Sequence, residues 1–280
     1  MLSINTNLSG LMVSSQIARN DAALGKSLQR LSSGLRVSSA ADGAGELGMS
    51  HRLMAEIRGC NAALQGANNG VSMLQVADGA LDSTLSALQR MRELAVEASS
   101  STASSTDRTN LDAEFQQLAV EVTRIANTTL YAGTAVLMGS LQYVNIMTGA
   151  YSGMFISLGS LNNVCTFSTL TGGTPGTLAL TGATNTLATS AITTVDVAIA
   201  SVASVRARIG AYQTSLDVIS STLQSIVQAD TQSNSQLVDT DIAAETANLT
   251  KNNILKQAGL AVLSQANQNF GSVLTLLQRL

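Results

Sequence analysis

The side chains best equipped for chemistry are scarce and scattered. One histidine, His51, and two cysteines, Cys60 and Cys165, are the whole supply of imidazole and thiol. A zinc site takes three or four close ligands, as in H-E-x-x-H, and His51 lies in HRLMAEIR with no second histidine. Two distant cysteines have neither metal-ligand spacing nor a disulfide framework, and read as small apolar thiols. Serine is abundant, yet no G-x-S-x-G elbow places one beside a base. The glycines of DGAGELG (Asp42–Gly48) follow no strand and lack the lysine of a phosphate loop. The N-x-S/T triplets at Asn7, Asn127 and Asn248 read as chance. The expectation is a chain without catalytic residues, cofactor or metal: not an enzyme.

What the chain does have is apolar residues at helical spacing. Leu24, Leu28, Leu31 and Leu35 step by four, three and four near one end. Near the other end Leu260, Leu263, Asn267, Phe270, Leu274 and Leu277 do the same. A longer seam runs through Ala198, Val202, Val205, Ile209, Tyr212, Leu216, Ile219, Leu223 and Ile226. Alternating steps of three and four are the coiled-coil period, which calls for a partner helix along its length. Tryptophan is absent, and Phe and Tyr number four each. Thick cores and ligand pockets rely on such large rings, whereas helix-on-helix packing at about 8–10 Å does without them. A single proline, Pro175, leaves long helices uninterrupted.

Charge is placed unevenly. Arg19, Lys26, Arg30 and Arg36 face only Asp21 in residues 1–41, and Lys251, Lys256 and Arg279 face no acid in 251–280. Ile125 through Val195 carries no charge at all. The positives are sparse and lack interleaved aromatics, so neither nucleic acid nor membrane is expected as a partner. No basic start with an apolar run marks a secretory signal, and no stretch reads as a membrane span.

The patterns predict a mainly α fold, an elongated antiparallel helical bundle or coiled coil with a small β-hairpin insert. A helix covers about 5–35, and Ser38–Gly48 breaks it with three glycines. A run of about fifty residues follows from Met49 to Ser99, on the order of 75 Å at 1.5 Å per residue. Ser99–Thr106 turns, and Asp107 or Thr109 caps a helix through Phe115 and Ile125. Tyr143–Ile146 and Met154–Leu158, with Gly149 and Gly153 between them, read as a hairpin. The seam helix spans about Thr193–Gln228, Thr231–Ser235 is a polar break, and a last helix covers Ile242–Leu280.

The run from Leu31 to Glu97, beginning LSSGLRVSSAADGAGELGMSHRLMAEIRG and ending LQRMRELAVE, closely resembles bacterial flagellin. So do the start, MLSINTNLSGLMVSSQIARNDAALGKSLQR, and the tail, NILKQAGLAVLSQANQNFGSVLTLLQRL. The chain departs from the pattern at Gly271, where flagellins commonly have Pro, and in the neutral middle, which is too short for large outer domains. The resemblance implies five segments. Residues 1–42 and 240–280 pair as an inner core, whose assembly residues are the Leu24–Leu35 stripe with Leu260, Leu263, Phe270, Leu274 and Leu277. Residues 43–130 and 193–239 form an outer core around the Val202–Ile226 seam, and 131–192 is a surface-facing insert open to O-glycosylation.

The resemblance also implies a function, a structural subunit that polymerises into the extracellular flagellar filament for swimming. The alternatives are a hook–filament junction protein or a filament-borne adhesin. Implied partners are further copies of the chain, cap and junction proteins, an export chaperone at the C-terminal helix during unfolded type III export, and the vertebrate Toll-like receptor for flagellin. LQRMRELAVE matches the receptor-recognised segment, which assigns Gln89, Arg90, Leu94 and, from an antiparallel neighbour, Glu114 to that patch.

Overall fold

The computed structural model describes residues 7–138, 144–151, 153–158, 167–171, 178–181 and 186–277. It is mainly α, in the order α1 (Leu8–Ser33), α2 (Ala40–Ser99), α3 (Ser105–Thr128), β1 (Leu130–Tyr131), β2 (Thr134–Ala135), β3 (Asn145–Met147), β4 (Phe155–Ser157), α4 (Phe167–Thr171), α5 (Thr186–Val238) and α6 (Ile242–Leu277). Two compact units emerge, one of residues up to Ala55 with those from Ala229 on, the other Glu56–Gln228. The unit boundaries fall inside α2 and α5, whereas the sequence reading put them at 42/43 and 239/240.

Local chemistry sets the helix ends. The Asn7 side chain accepts the Gly10 N–H at 2.8 Å to start α1, and Gly34, at φ 72°, ends it by donating its N–H to the Arg30 carbonyl. Ser104, rather than Asp107 or Thr109, caps α3. Its hydroxyl accepts the Asp107 N–H, and the Asp107 carboxylate accepts the Ser104 N–H in return. One expected break is displaced, falling mainly between Ser33 and Ala40, and another is absent. The glycines of Ser38–Gly48 interrupt the helix only at Gly43, because Asp42 accepts the N–H and hydroxyl of Ser39 and holds the new first turn. Lys26, at 2.7 Å, and Ser39 hold the Asp42 carboxyl far below the usual carboxylate range. Thr231–Ser235 stays helical within α5, which starts at Thr186 rather than Thr193.

The core of Glu56–Gln228 is a set of facing seams. On α2 the buried positions include Cys60, Ala63, Ala67, Gly70, Leu74, Ala77, Leu81, Thr84, Leu88, Met91, Ala95 and Ala98, an unbroken alternation of three and four, with Met73 and Leu94 buried beside it. Thr84, the polar member, donates its hydroxyl to the Ala80 carbonyl. Phe115, Ala119, Val122 and Ala126 of α3 and Val195, Ala198, Val202, Val205, Ile209 and Leu216 of α5 close the same core. Arg206 reaches Asp78 at 2.8 Å and Asp82 at 2.7 Å, while Arg92 reaches Asp196 at 2.6 Å, so α5 descends as α2 rises. A stretch of α5 is apolar enough by length and mean hydropathy (1.5) to cross a membrane. The sequence reading had not expected such a stretch. A third of that stretch is buried, at seam positions such as Val195, Ala198 and Val202 that pack against protein, while Val197 is exposed.

Two small antiparallel hairpins follow α3. Ala132 and Gly133 both take positive φ (48° and 81°) in the two-residue turn between β1 and β2. The second hairpin pairs Ile146 with Ile156 and Met147 with Phe155, so its first strand runs one residue past the expected Tyr143–Ile146 and its second lies within Met154–Leu158. It lies on glycines of α2. A Cβ on Gly59 would sit 2.7 Å from the Ala150 Cβ and 3.0 Å from its Cα, and one on Gly70 would meet Ile146. Gly79 in α2 and Gly210 in α5 have open space instead. Alanine at either open site should therefore stabilise the protein by about 0.5–1 kcal/mol through helix propensity alone. At Gly59 that gain is overtaken by crowding against backbone, which costs about 1–3 kcal/mol. Urea unfolding should thus order Gly79→Ala and Gly210→Ala above the parent and Gly59→Ala below it.

Candidate functional site

The unit containing α1 and α6 is the unusual part of the molecule. Its two helices run antiparallel. Asn7 donates to Asn267 (3.1 Å), Ile17 abuts Gly259, Lys256 pairs with Asp21 (2.8 Å) and Arg30 with Glu245 (3.8 Å). On α1 the buried or half-buried positions are Gly10, Val13, Ile17, Asn20, Leu24, Ser27 and Leu31. On α6 they are Glu245, Leu249, Asn252, Lys256, Gly259, Leu263 and Ala266. Both series keep the coiled-coil period, but small and polar residues fill about half of the places.

Most of the large apolar residues lie outside the seam. Leu8, Leu11, Met12 and Leu28 of α1, and Ile242, Ile254, Leu255, Leu260 and Val262 of α6, are exposed, from 42% at Leu255 to 70% at Met12. No described Leu, Ile or Met side chain of either helix is buried. The seam mixes small, polar and half-buried apolar residues, and a second set of apolar residues is left facing out.

The expected inner stripe is divided in the single copy. Leu24 and Leu31 sit in the α1–α6 seam, and Leu28 is 51% exposed on a neighbouring face. Leu35 lies past the end of α1, bridged to Asp239. Leu263 is in the seam and Leu260 is outside it. The side chains of Phe270, Leu274 and Leu277 lie outside the described residues, as do Cys165, Tyr143 and Pro175. The split has a plain cause. Leu24, Leu28 and Leu31 fit either of two neighbouring faces, and the salt bridges at Asp21 and Arg30 choose one.

The linkers on either side are tied together. Arg36 donates its N–H to the Val238 carbonyl (2.7 Å) and its guanidinium to the Leu237 carbonyl (2.7 Å), and pairs with Glu46 (3.0 Å). Thr240 donates its N–H to Gly34 (2.9 Å), and Ser50 its hydroxyl to Asn234 (2.7 Å). These backbone bonds involve no patterned residue, so spacing alone could not have found them.

In the other unit the expected seam holds at Val202, Val205, Ile209, Leu216 and Leu223, with Tyr212 and Ile219 half-buried. Ile226 departs. It is 37% exposed, and the buried side passes through Val227. A straight helix drifts about 20° per heptad against a strict repeat, enough to exchange neighbours after several turns.

The patch at Gln89 is divided too. Gln89 and Arg90 are exposed, and Arg90 donates to Glu114 at 2.9 Å and to Glu93 at 3.1 Å, which raises the guanidinium pKa. Leu94 is wholly buried in the core. It follows Arg90 by four, but it also lies one step from the Met91–Ala95 seam and turns inward. No cluster of three or more metal-ligating side chains occurs among the described residues, and His51 is exposed.

Both ends of the chain also match family models. Residues 4–142 match the bacterial flagellin N-terminal helical region, and residues 192–277 match the bacterial flagellin C-terminal helical region. The chain belongs to the bacterial flagellin family. Flagellin of Halalkalibacterium halodurans is 37% identical over 276 residues, 98% of this chain and 99% of that protein. The flagellar filament 31.3 kDa core protein of Treponema maltophilum is 34% identical over 98% of this chain and 99% of its own length. The crystal structure of Bacillus cereus flagellin is 29% identical, covering 57% of this chain and 88% of that one at a TM-score of 0.49. This flagellin is a structural subunit of the extracellular flagellar filament.

Proposed function

We propose that this flagellin assembles by burying the outward apolar residues of α1 and α6 against neighbouring copies. The observation that carries the reading is the hairpin's second set of apolar residues, nine large side chains left exposed outside a mixed seam in which no Leu, Ile or Met is fully buried. One copy cannot cover these residues by its own fold, and a heterologous contact that does not close propagates as a filament. The outward residues Ile254, Leu255, Leu260 and Val262 are the assembly contacts of α6, and Leu8, Leu11, Met12 and Leu28 those of α1. Outside the filament, α6 is the segment an export chaperone would cover, and cap and junction proteins would meet the same faces. The family's structural character supports a chain without catalytic activity.

Limited proteolysis tests this. A hairpin with no buried Leu or Ile opens at small cost, so protease should trim about forty residues from each end of the monomer and spare them in filaments. Equal cleavage in both states would count against burial of these helices on assembly.

The surface of Gln89, Arg90 and Glu114 supports a second partner, the vertebrate flagellin receptor implied by the segment's resemblance. Arg90 is exposed and already oriented by two carboxylates, as interface arginines often are. Arg90→Ala should weaken receptor binding by about 2 kcal/mol, roughly thirtyfold, with monomer stability unchanged. Leu94 supports the patch from beneath, so Leu94→Ala should act through folding instead. Binding by surface plasmon resonance, alongside thermal melts, separates the two.

A further inference from the structure

Beneath the β3–β4 hairpin lies a cavity of about 300 Å³, lined mainly by Cys60, Ala150, Met154, Ile219, Leu223 and Ile226. Cys60 is only 3% exposed. The sulfur of Met154 closes the turn above it. A Cβ built on Gly149 would fall 2.6 Å from the Met154 Sδ and 2.7 Å from its Cε, so the thioether occupies the space that glycine leaves. The hairpin holds it there, with Thr148 donating its N–H to the Met154 carbonyl at 2.9 Å. Met154 nevertheless is 46% exposed as a residue, so the same side chain lines the cavity and meets solvent.

We propose that Met154 is a reversible oxidation site that latches the hairpin over the Cys60 cavity. The reactant is a two-electron oxidant of the peroxide class. The thioether sulfur attacks one peroxide oxygen, an S–O bond forms, the O–O bond breaks, and water leaves carrying the second oxygen. Sulfur loses two electrons and the peroxide gains them. The product is a polar, chiral sulfoxide where an apolar group packed, and it is restored by methionine sulfoxide reductases at the expense of a dithiol. A sulfoxide dipole left against Ile219, Leu223 and Ile226 would lose its hydration, so it turns out to solvent and uncovers the cavity. Met91, wholly buried in the core, is the internal control, and Met147, on the outer face opposite Phe155, is the exposed one.

The test uses full-length monomer treated with hydrogen peroxide, quenched with catalase, alkylated with iodoacetamide and mapped by peptide mass spectrometry. Met154 and Met147 should convert while Met91 does not, and Cys60 alkylation should rise about tenfold with far-UV circular dichroism unchanged. Reductase treatment should reverse the rise. Met154→Leu keeps the shape without the thioether and should abolish the response, whereas Met147→Leu should retain it. The proposal is overturned if Met154 is fully oxidised with Cys60 still protected, if Met154→Leu responds like the parent, or if Cys60 opens only with loss of helix.

Discussion

Leu216→Asp is expected to unfold the Glu56–Gln228 unit. Leu216 is wholly buried in the core shared by α2, α3 and α5. The substitution loses about 2–3 kcal/mol of apolar burial and adds an unpaired carboxylate whose desolvation costs several more. A domain's margin is only about 5–15 kcal/mol, so most or all of it is spent at one site. Ile226→Asp, three helical turns further on, should cost about 1 kcal/mol or less, because its side chain already meets solvent. Ser168→Asp, exposed in α4, should be silent. Thermal melts of the three proteins decide it. A Leu216→Asp monomer that melts like the parent would remove Leu216 from the core.

Ile254→Asp should do the opposite, leaving the monomer intact and abolishing filaments. Ile254 is 61% exposed, so a carboxylate there costs the isolated chain almost nothing. Covered by a neighbouring copy, it forfeits about 2 kcal/mol of apolar burial and carries an unpaired charge into the contact. A total near 4 kcal/mol raises the critical concentration for assembly roughly a thousandfold, at 1.4 kcal/mol per tenfold. Sedimentation of seeded filaments against monomer concentration measures this. A variant that pellets like the parent would exclude this face of α6 from the interface. Asn252→Asp, on the half-buried side facing α1, separates the two roles, since its effect should appear in the monomer's melting first.

These contrasts show how far spacing carries. The seam helix was legible from Val202 to Leu223 because its apolar residues keep one unbroken alternation, with Val218 the exposed exception. At Ile226 and Val227, and at Leu24, Leu28 and Leu31, apolar residues occupy adjacent faces, and spacing alone cannot choose between them. Arg90 and Glu114 were placed together correctly, yet Leu94 was placed outside although it belongs to the core. A residue four places from an exposed one shares its face only approximately, since 3.6 residues make a turn. The helical continuity of Thr231–Ser235 escaped composition because packing and hydrogen bonding override weak propensities.

The sequence by itself determined that this protein is a set of long helices with one small β insert. Helical period, scarce proline and local caps are properties of neighbouring residues, and neighbours are what a sequence records. It also determined the family, through motifs at both ends. Only the tertiary structure decided which face of α1 and α6 is buried. The Asp21–Lys256 and Arg30–Glu245 pairs fix the rotation of α1 against α6, and the docking of Ala150 on Gly59 fixes the hairpin on α2. Such choices depend on partners more than two hundred residues away in the first case and about ninety in the second. That choice of face turns Leu28 outward and leaves an apolar surface on the hairpin.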